Sequence, residues 1–190
     1  ICEQTSPVVL GVFLRKSRFV KKVNLILPYS DWAHIDVADG SFTSNVLWHN
    51  PKDLENFNFK INLEAHLMMR GLEEKIENWL KLPLKRIIFN LESVENPDLI
   101  IEKCKAKNIE PGISMGPDTQ VEFIFPFLES GKINFFQILS VYPGLSGQKF
   151  IESSLDKIRS LKEICPECTV EVDGGVNSEN KPVDRNIDVR

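Results

Sequence analysis

Short apolar segments alternate with longer amphipathic segments along almost the whole chain, and this alternation constrains the fold more than any other feature of the sequence. The short segments have the pattern of β-strands, and the longer ones carry apolar residues at helical spacing. Seven strands are predicted, at residues 8–13, 33–37, 61–67, 86–91, 110–114, 135–141 and 169–173. Six helices are predicted between them, at residues 17–27, 51–56, 72–80, 97–107, 120–128 and 151–164.

Repeated strand–helix units indicate an α/β fold with a parallel sheet, because parallel neighbours need a crossover long enough to hold a helix. Two architectures satisfy this pattern, an open doubly wound sheet and a (β/α)8 barrel. Neither a GxGxxG motif nor a P-loop follows any predicted strand, which weakens the nucleotide-binding version of the doubly wound sheet. The composition shows no linker, so residues 1–177 are predicted to form a single domain.

The last segment, residues 178–190, is polar and contains a proline, and it lacks the pattern of a further helix and a closing strand. A complete barrel of this type typically has about 250 residues and at least about 200, whereas this chain has 190. We therefore predict a barrel truncated after its seventh strand, followed by a truncated or disordered tail.

Bulk properties exclude several classes of partner. A formal net charge of -4 gives no general attraction to nucleic acid or to anionic lipid. No apolar run approaches the roughly 20 residues of a membrane helix, and the first residues lack the basic start and apolar core of a signal peptide. A cytoplasmic location is the resulting expectation. Cys165 and Cys168 have C-x-x-C spacing without a second pair for a zinc ribbon, and are interpreted as structurally incidental.

Two stretches of the sequence carry candidate chemistry. His34 and Asp36 are two residues apart in a predicted strand, so their side chains project from the same face. Asp173 ends the last predicted strand and is followed by Gly174 and Gly175. Two carboxylates facing each other beside an imidazole could hold a metal and move protons on both faces of a substrate carbon. Taken singly, the histidine could be a core residue and Asp173 a turn residue.

Five motifs in the same order resemble the ribulose-phosphate 3-epimerase family. They are residues 34–40 (HIDVADG), 65–68 (AHLM), 111–119 (PGISMGPDT), 141–150 (VYPGLSGQKF) and 172–177 (VDGGVN). The resemblance implies a (β/α)8 TIM-type, ribulose-phosphate-binding barrel. It also implies an isomerase of the pentose phosphate pathway that inverts C3 of a ketose phosphate and interconverts D-ribulose 5-phosphate and D-xylulose 5-phosphate. A small-molecule sugar phosphate would then be its partner.

The resemblance assigns roles to particular residues. It implies one divalent metal ion held by His34, Asp36, His66 and Asp173. Zinc, iron, manganese and cobalt all accept mixed imidazole and carboxylate ligands, so the sequence does not choose among them. Asp36 and Asp173 would be the two acid/base groups, acting through a cis-enediolate. His49 lies outside the motifs and is expected in a loop or at the surface.

The resemblance also suggests where the substrate and its phosphate bind. Glycine-rich loops let backbone N–H groups approach phosphate oxygens closely. The substrate and phosphate contacts implied in this way are His66, Gly144, Leu145, Ser146, Gly147, Asp173, Gly174 and Gly175. Met68 and Met115 resemble the apolar pocket residues of the family, with packing in the core as an equal alternative.

Departures from the family pattern motivate two rival functions. Gly11 stands where the family usually has a serine, and Ala38 stands where it usually has a methionine. The smaller Ala38 would enlarge the pocket, which favours a hexulose-6-phosphate 3-epimerase. The last phosphate loop of the family follows strand eight, beyond the predicted end of this barrel. The second rival is therefore a catalytically impaired, truncated sugar-phosphate-binding homologue. Family members are commonly oligomers, which adds a homo-oligomer as an expectation.

Overall fold

The computed structural model describes residues 8–9, 16–55, 60–144, 147–177 and 187–189, and within these ranges eight strands form one sheet. Each strand is parallel to its neighbours, and the strands pair in the order in which they occur in the chain. They are β1 (Val8–Val9), β2 (Trp32–Ala38), β3 (Asn62–Met68), β4 (Leu84–Asn90), β5 (Glu110–Met115), β6 (Phe135–Leu139), β7 (Thr169–Asp173) and β8 (Ile187–Val189).

Helices fill the connections between successive strands. The α-helices are α1 (Lys16–Ile26), α2 (Leu72–Trp79), α3 (Pro97–Ala106), α4 (Phe125–Glu129) and α5 (Ser153–Ile164). Short 3-10 helices span Pro51–Leu54, Leu91–Ser93 and Val121–Ile124. Within the described ranges, every helix is too short or too polar to span a bilayer.

The strand order distinguishes between the two predicted architectures. A doubly wound sheet reverses direction at a switch point, so strands that follow each other in the chain are not all neighbours in the sheet. Here each strand neighbours the next one in the chain from β1 to β8, which is the order of a (β/α)8 barrel. The barrel-type fold class is therefore confirmed. No ladder joins β8 to β1 within the described segments.

The eighth strand corrects the prediction of seven. Ile187 pairs with Val170 and Val189 pairs with Val172, both in parallel register. The sequence Ile-Asp-Val alternates apolar and polar residues as a strand does, and it pairs with the otherwise open edge of β7. The rest of the predicted tail, residues 178–186 and 190, lies outside the described residues, and the domain boundary at residue 177 stays a prediction.

Two predicted elements differ from the structure or lie partly outside it. The predicted helix at residues 120–128 is split into the 3-10 helix Val121–Ile124 and α4. Pro126 explains the split, because it has no N–H to bond the carbonyl of Glu122 four residues earlier. The predicted first strand is observed as Val8–Val9, and residues 10–13, including Gly11, lie outside the described residues.

Alternate residues of the central strands lie on opposite faces of the sheet and have different surroundings. Ile35, Leu63 and Leu67 belong to the apolar core cluster, together with residues of the surrounding helices such as Leu72 and Ile76. The intervening positions of the same strands carry a second set of side chains that are polar and mostly buried: His34, Asp36, Glu64, His66, Arg86, Asn90, Gln137 and Glu171. The inner face of the sheet therefore carries many buried polar side chains, and this face carries the candidate site.

The cysteine predictions need one correction. Cys165 and Cys168, interpreted as structurally incidental, are joined by a disulfide just after α5. A tight turn brings their Cα atoms to 5.4 Å, within the usual range for a disulfide. Cys104 is a free thiol buried in the core.

Candidate active site

A cluster of two imidazoles and one carboxylate lies at the carboxyl ends of β2 and β3. Asp36 pairs with His66 in the register of the two strands, and His34 lies two residues before Asp36 on the same face. Asp36 Oδ1 is 3.2 Å from His34 Nε2 and 3.6 Å from His66 Nδ1. Both histidines are almost fully buried, whereas the side chain of Asp36 is 26% exposed. The cluster is therefore buried on its inner side and open toward solvent at Asp36.

Buried partners on the far side of each ring orient the two histidines. His34 Nδ1 is 3.0 Å from Glu64 Oε1, and His66 Nε2 is 3.0 Å from Asn90 Oδ1. Asn90 Nδ2 in turn donates to Ser114 Oγ at 3.4 Å, which leaves the amide oxygen facing His66. Oxygens that accept hydrogen bonds require a proton on the ring nitrogen that they contact. The second nitrogen of each ring then faces Asp36, where it can donate to the carboxylate or, after losing its proton, offer a lone pair to a cation.

The donor set fits a divalent cation. His34, Asp36 and His66 each offer one ligand atom, and these atoms all lie within 4.8 Å of one another. His66 Nδ1 is buried and makes no hydrogen bond with the described part of the chain. Two imidazole nitrogens that can give up their protons and a carboxylate oxygen converge here, and such a set of ligands favours a positive charge among them. Mixed nitrogen and oxygen ligands suit zinc, iron, manganese or cobalt.

The histidines also set the ionisation of Asp36. Burial raises the pKa of this carboxyl group, but the neighbouring imidazoles of His34 and His66 lower it by more. The net result is a pKa well below the ordinary value for an aspartate. Asp36 is therefore ionised at neutral pH, as both a metal ligand and a proton acceptor must be.

The second predicted carboxylate, Asp173, ends β7 and is half-buried. Its backbone carbonyl accepts hydrogen bonds from Ser140 N at 2.8 Å and from Ser140 Oγ at 3.0 Å. Its carboxylate is not part of the group of three ligand side chains around Asp36. The structure thus brings three of the four predicted metal ligands together, and the ligand role of Asp173 stays a prediction.

The predicted phosphate loops follow β6 and β7. Gly144, Gly147, Gly174 and Gly175 all have positive φ angles, from +65° to +133°. A Cβ at Gly175 would lie 2.7 Å from the backbone nitrogen of Phe150, so only glycine fits this position. Leu145 and Ser146, the other predicted phosphate contacts, lie outside the described residues.

The loop after β2 is bonded to the loop after β6. Asn45 Nδ2 donates to the carbonyl of Gly144 at 2.7 Å. The other side-chain atom of this amide, Asn45 Oδ1, is buried and makes no hydrogen bond within the described ranges. Asn45 is therefore an additional residue that helps to shape the mouth of the barrel.

The predicted pocket residues differ in their surroundings. Met68 and Met115 end β3 and β5 and are both buried, but only Met115 belongs to the apolar core cluster. Ala38 ends β2, is fully buried and pairs in register with Met68. His49 is exposed, as predicted, and its Nδ1 contacts the carbonyl of Leu47.

Sequence reasoning missed three buried residues behind the cluster, Glu64, Arg86 and Asn90. Glu64 Oε2 accepts from Arg86 Nη1 at 2.6 Å, so the carboxylate joins a histidine to an arginine. The signal was present in the sequence, because Glu64 lies two residues before His66 and interrupts an apolar strand. The same period-two argument that joined His34 to Asp36 would have placed Glu64 on the inner face.

The fold and the cluster together define a class of protein. A sheet with the strand order of a (β/α)8 barrel carries its polar site at the carboxyl ends of the strands, as enzymes of this fold do. The sequence matches the ribulose-phosphate 3-epimerase family over residues 10–187, which is nearly the whole chain. The chain belongs to this family of isomerases.

Individual relatives agree with this assignment. The chain is 34% identical over 151 residues to the cytoplasmic isoform of ribulose-phosphate 3-epimerase from Oryza sativa subsp. japonica, covering 77% of this chain and 66% of that protein. It is 35% identical over 157 residues to ribulose-phosphate 3-epimerase from Helicobacter pylori strain J99, covering 80% and 71%. The matched part of the chain thus spans about two thirds of the length of these relatives.

A solved structure with little sequence similarity supports the fold alone. Orotidine 5'-monophosphate decarboxylase from Methanocaldococcus jannaschii superposes with a TM-score of 0.59 at 13% identity, covering 99% of this chain and 90% of that one.

Proposed function

We propose that this chain catalyses the metal-dependent inversion of C3 of D-ribulose 5-phosphate to give D-xylulose 5-phosphate. The observation that carries most weight is the convergence of His34 Nε2, Asp36 Oδ1 and His66 Nδ1 at the mouth of the barrel. The names of the relatives agree with this activity. Because the matched part spans about two thirds of those proteins, the activity of this chain is the point that needs a test.

In this proposal His34, Asp36 and His66 hold one divalent cation of zinc, iron, manganese or cobalt, and Asp173 is the fourth ligand. When bound, the cation would supply positive charge that stabilises the negative charge developing on the substrate oxygens. The tautomers set by Glu64 and Asn90 direct one ring nitrogen of each histidine toward this position.

Asp36 and Asp173 would carry out the two proton transfers. One carboxylate removes the C3 proton from one face of the substrate and leaves a cis-enediolate, and the other returns a proton to the opposite face. The low pKa of Asp36 keeps that side chain ionised before substrate binds. Asp36 lies near the carboxyl end of β2 and Asp173 ends β7, and four other strands separate β2 from β7 in the sheet, which is compatible with approach from different directions.

The substrate phosphate would bind to the loops after β6 and β7. Backbone N–H groups at Gly144, Gly147, Gly174 and Gly175 are the proposed donors, since positive φ angles at glycine turn successive N–H groups toward one point. Leu145 and Ser146 complete the first loop in this proposal, and His66, Asp173, Met68 and Met115 complete the pocket around the sugar.

Exchange of the C3 proton with solvent deuterium tests the proposal directly. In the metal-loaded chain, Asp173→Asn should lower this exchange by about 10²–10⁴-fold, the usual contribution of a positioned acid/base group. Asp156→Asn is the matched control, because Asp156 is exposed on α5 and pairs only with Arg159 among the described residues. Unchanged exchange in the Asp173 variant would refute the role given to that residue.

A longer ketose phosphate is the second candidate substrate, and Ala38 supports it. This small residue ends β2 beside Met68, where a larger side chain would reduce the space near the metal ligands. A hexulose 6-phosphate would then be epimerised at least as fast as the pentulose. Parallel measurements of kcat/KM on the two substrates decide between them, and a clear preference for the pentulose removes this candidate.

A cytoplasmic location and a homo-oligomeric state complete the proposal. The first is supported by the rice relative, which is named as a cytoplasmic isoform. Cell fractionation and light scattering on the purified chain test the two statements separately. A chain that binds metal and sugar phosphate without turnover would instead support the non-catalytic homologue.

A further inference from the structure

A chain of buried polar groups extends inward from the candidate metal site. Glu64 lies on β3 two residues before His66 and is fully buried. Its two carboxylate oxygens have different partners, with Oε1 3.0 Å from His34 Nδ1 and Oε2 2.6 Å from Arg86 Nη1. A single side chain thus connects an arginine in the barrel interior to a candidate metal ligand.

Arg86 is itself fixed from several sides. Its Nε donates to Glu110 Oε2 at 2.8 Å, and its guanidinium lies over the rings of Trp32 and Phe135, at 4.5 Å and 3.6 Å from their centroids. A planar guanidinium held by two aromatic rings has little freedom to turn. Glu64 must therefore keep Oε2 toward Arg86, and only Oε1 remains for His34.

This geometry determines where His34 carries its proton. An ionised carboxylate accepts hydrogen bonds and cannot donate them, so the contact with Glu64 requires a hydrogen on Nδ1. The nitrogen left to bind a cation, by giving up its hydrogen, is then Nε2, which faces Asp36 Oδ1 at 3.2 Å. If Nε2 alone carried a hydrogen, the lone pair of His34 would face Glu64 and point away from Asp36.

We infer that Glu64, held by Arg86, is a positioning residue that fixes His34 as the Nδ1–H tautomer and so presents Nε2 as a metal ligand. The part of this inference that concerns metal affinity rests on the proposed function. The part that concerns the tautomer does not, because it can be measured on the metal-free chain. Carboxylate partners of this kind typically change metal affinity by about 10–100-fold.

The chain offers a matched control in Glu110. Both Glu64 and Glu110 bind Arg86, so replacing either with glutamine removes one carboxylate from the same guanidinium. Glu110 differs in being 45% exposed and in making no hydrogen bond to a histidine among the described residues. If Glu64 served only to neutralise Arg86, the two variants would have similar effects on His34.

The first measurement is the side-chain ¹⁵N spectrum of His34 in the metal-free protein, in which the two neutral tautomers give distinct shifts. The wild-type chain should show a hydrogen on Nδ1, with or without a second hydrogen on Nε2 that is donated to Asp36. In Glu64→Gln, the amide oxygen faces Arg86 and the amide NH₂ faces His34, so the ring should change to the Nε2–H form. Glu110→Gln should leave the Nδ1–H form. An Nε2–H tautomer in the wild type overturns the inference, even if the Glu64 variant fails to fold.

The second measurement is the affinity for Co²⁺ alone, followed by its ligand-field absorption. Glu64→Gln should weaken Co²⁺ binding by about 10–100-fold, whereas Glu110→Gln should change it by less than about 2-fold. Equal binding by the wild type and the Glu64 variant overturns the inference and leaves the proposed function standing. If the wild type binds no Co²⁺, the metal-dependent function and the metal-presenting role of Glu64 both fail, while the ¹⁵N spectrum still decides whether Glu64 sets the tautomer.

Discussion

Gly175 and Gly71 have nearly the same backbone conformation in different surroundings. Their φ angles are +65° and +63°, in the left-handed region that strains any residue with a Cβ. A Cβ at Gly175 would meet the backbone of Phe150 at 2.7 Å, whereas a Cβ at Gly71 would have nothing within 4 Å. Substitutions at the two positions therefore separate the energetic cost of backbone strain from the cost of crowding.

Alanine substitutions should make this difference measurable. We expect Gly71→Ala to lower the free energy of unfolding by about 1–2 kcal/mol, the usual penalty for a left-handed residue. Gly175→Ala should lower the free energy of unfolding by about 1–3 kcal/mol more than Gly71→Ala does, because the backbone at Phe150 must move to admit the methyl group. Urea unfolding followed by circular dichroism measures both values, and equal losses would show that crowding at Gly175 is relieved without cost.

Cys104 should be chemically inert in the folded protein. Burial raises the pKa of this thiol to about 12. At pH 8 the reactive thiolate would then be roughly one part in ten thousand. Iodoacetamide should therefore label Cys104 only after unfolding, with peptide mass spectrometry as the measurement and the denatured chain as the control. Rapid labelling of the native protein at this residue would contradict the buried position.

The two-residue repeat of side-chain directions in a strand explains which contacts at the site could be predicted from the sequence and which were missed. His34 and Asp36 were expected on one face because they are two residues apart, and the structure shows their atoms 3.2 Å apart. The link from His66 to Asp36 depended on the family resemblance, since nothing in the sequence alone sets the register of β2 and β3. Glu64 and Arg86 were missed because a charged residue in a predicted strand is usually assigned to solvent.

Individual elements were predictable where local chemistry decides them. The helices starting at Pro51 and Pro97 follow the preference of proline for the first turn, and α3 begins at Pro97 as predicted. The split at Pro126 follows from the same residue type inside a predicted helix. The three-residue β8 was missed because so short an apolar alternation is recognisable only beside the strand with which it pairs.

An ion pair joins the end of β2 to α2 and should give part of the stability a pH dependence. Asp39 Oδ2 is 2.7 Å from Lys75 Nζ. Burial raises the pKa of Asp39, but hydrogen bonds from Lys75 and Ser41 lower it by more, so the folded value lies below the unfolded one. The stabilisation is therefore present above the unfolded pKa of about 3.9 and is lost as pH falls through the folded pKa.

Replacing this carboxylate tests the dependence. At pH 7, Asp39→Asn should lower the free energy of unfolding by about 0.2–1 kcal/mol, a range set by solvent screening of a partly exposed pair. The difference from the wild type should shrink as the pH is lowered from 4 to 2 in a urea-unfolding series. Lys75→Met is the control, since it should abolish most of this pH dependence. A difference that stays constant with pH would rule out the ion pair as its source.

The order of the strands is the feature of the whole molecule that sequence patterns left open. Alternating strands and helices were compatible with two architectures, because the pattern gives the elements without their neighbours. The sequential order from β1 to β8 selects the barrel type, and the family resemblance had selected it beforehand. Local sequence patterns thus predicted the individual strands and helices, whereas the order of the strands in the sheet depends on long-range pairing.

Removing residues 187–190 tests the contribution of β8 to the whole sheet. The deletion exposes the hydrogen-bonding edge of β7, which should lower the free energy of unfolding by about 0.5–1.5 kcal/mol for each ladder hydrogen bond lost. Self-association should also increase with protein concentration, as measured by size-exclusion chromatography with light scattering. Asp188→Asn keeps the backbone ladder and serves as control. Unchanged stability and association after the deletion would show that β8 contributes little.

The hydrogen bond between Asn45 and Gly144 has a consequence for the order of folding events. Strand pairs join neighbours along the chain, whereas this bond joins two loops 99 residues apart in sequence. Closing so long a loop is entropically costly until the intervening strands have assembled. We therefore expect the contact between these two loops to form after the sheet has assembled. When the unfolded chain is refolded, ligand binding should then return later than secondary structure.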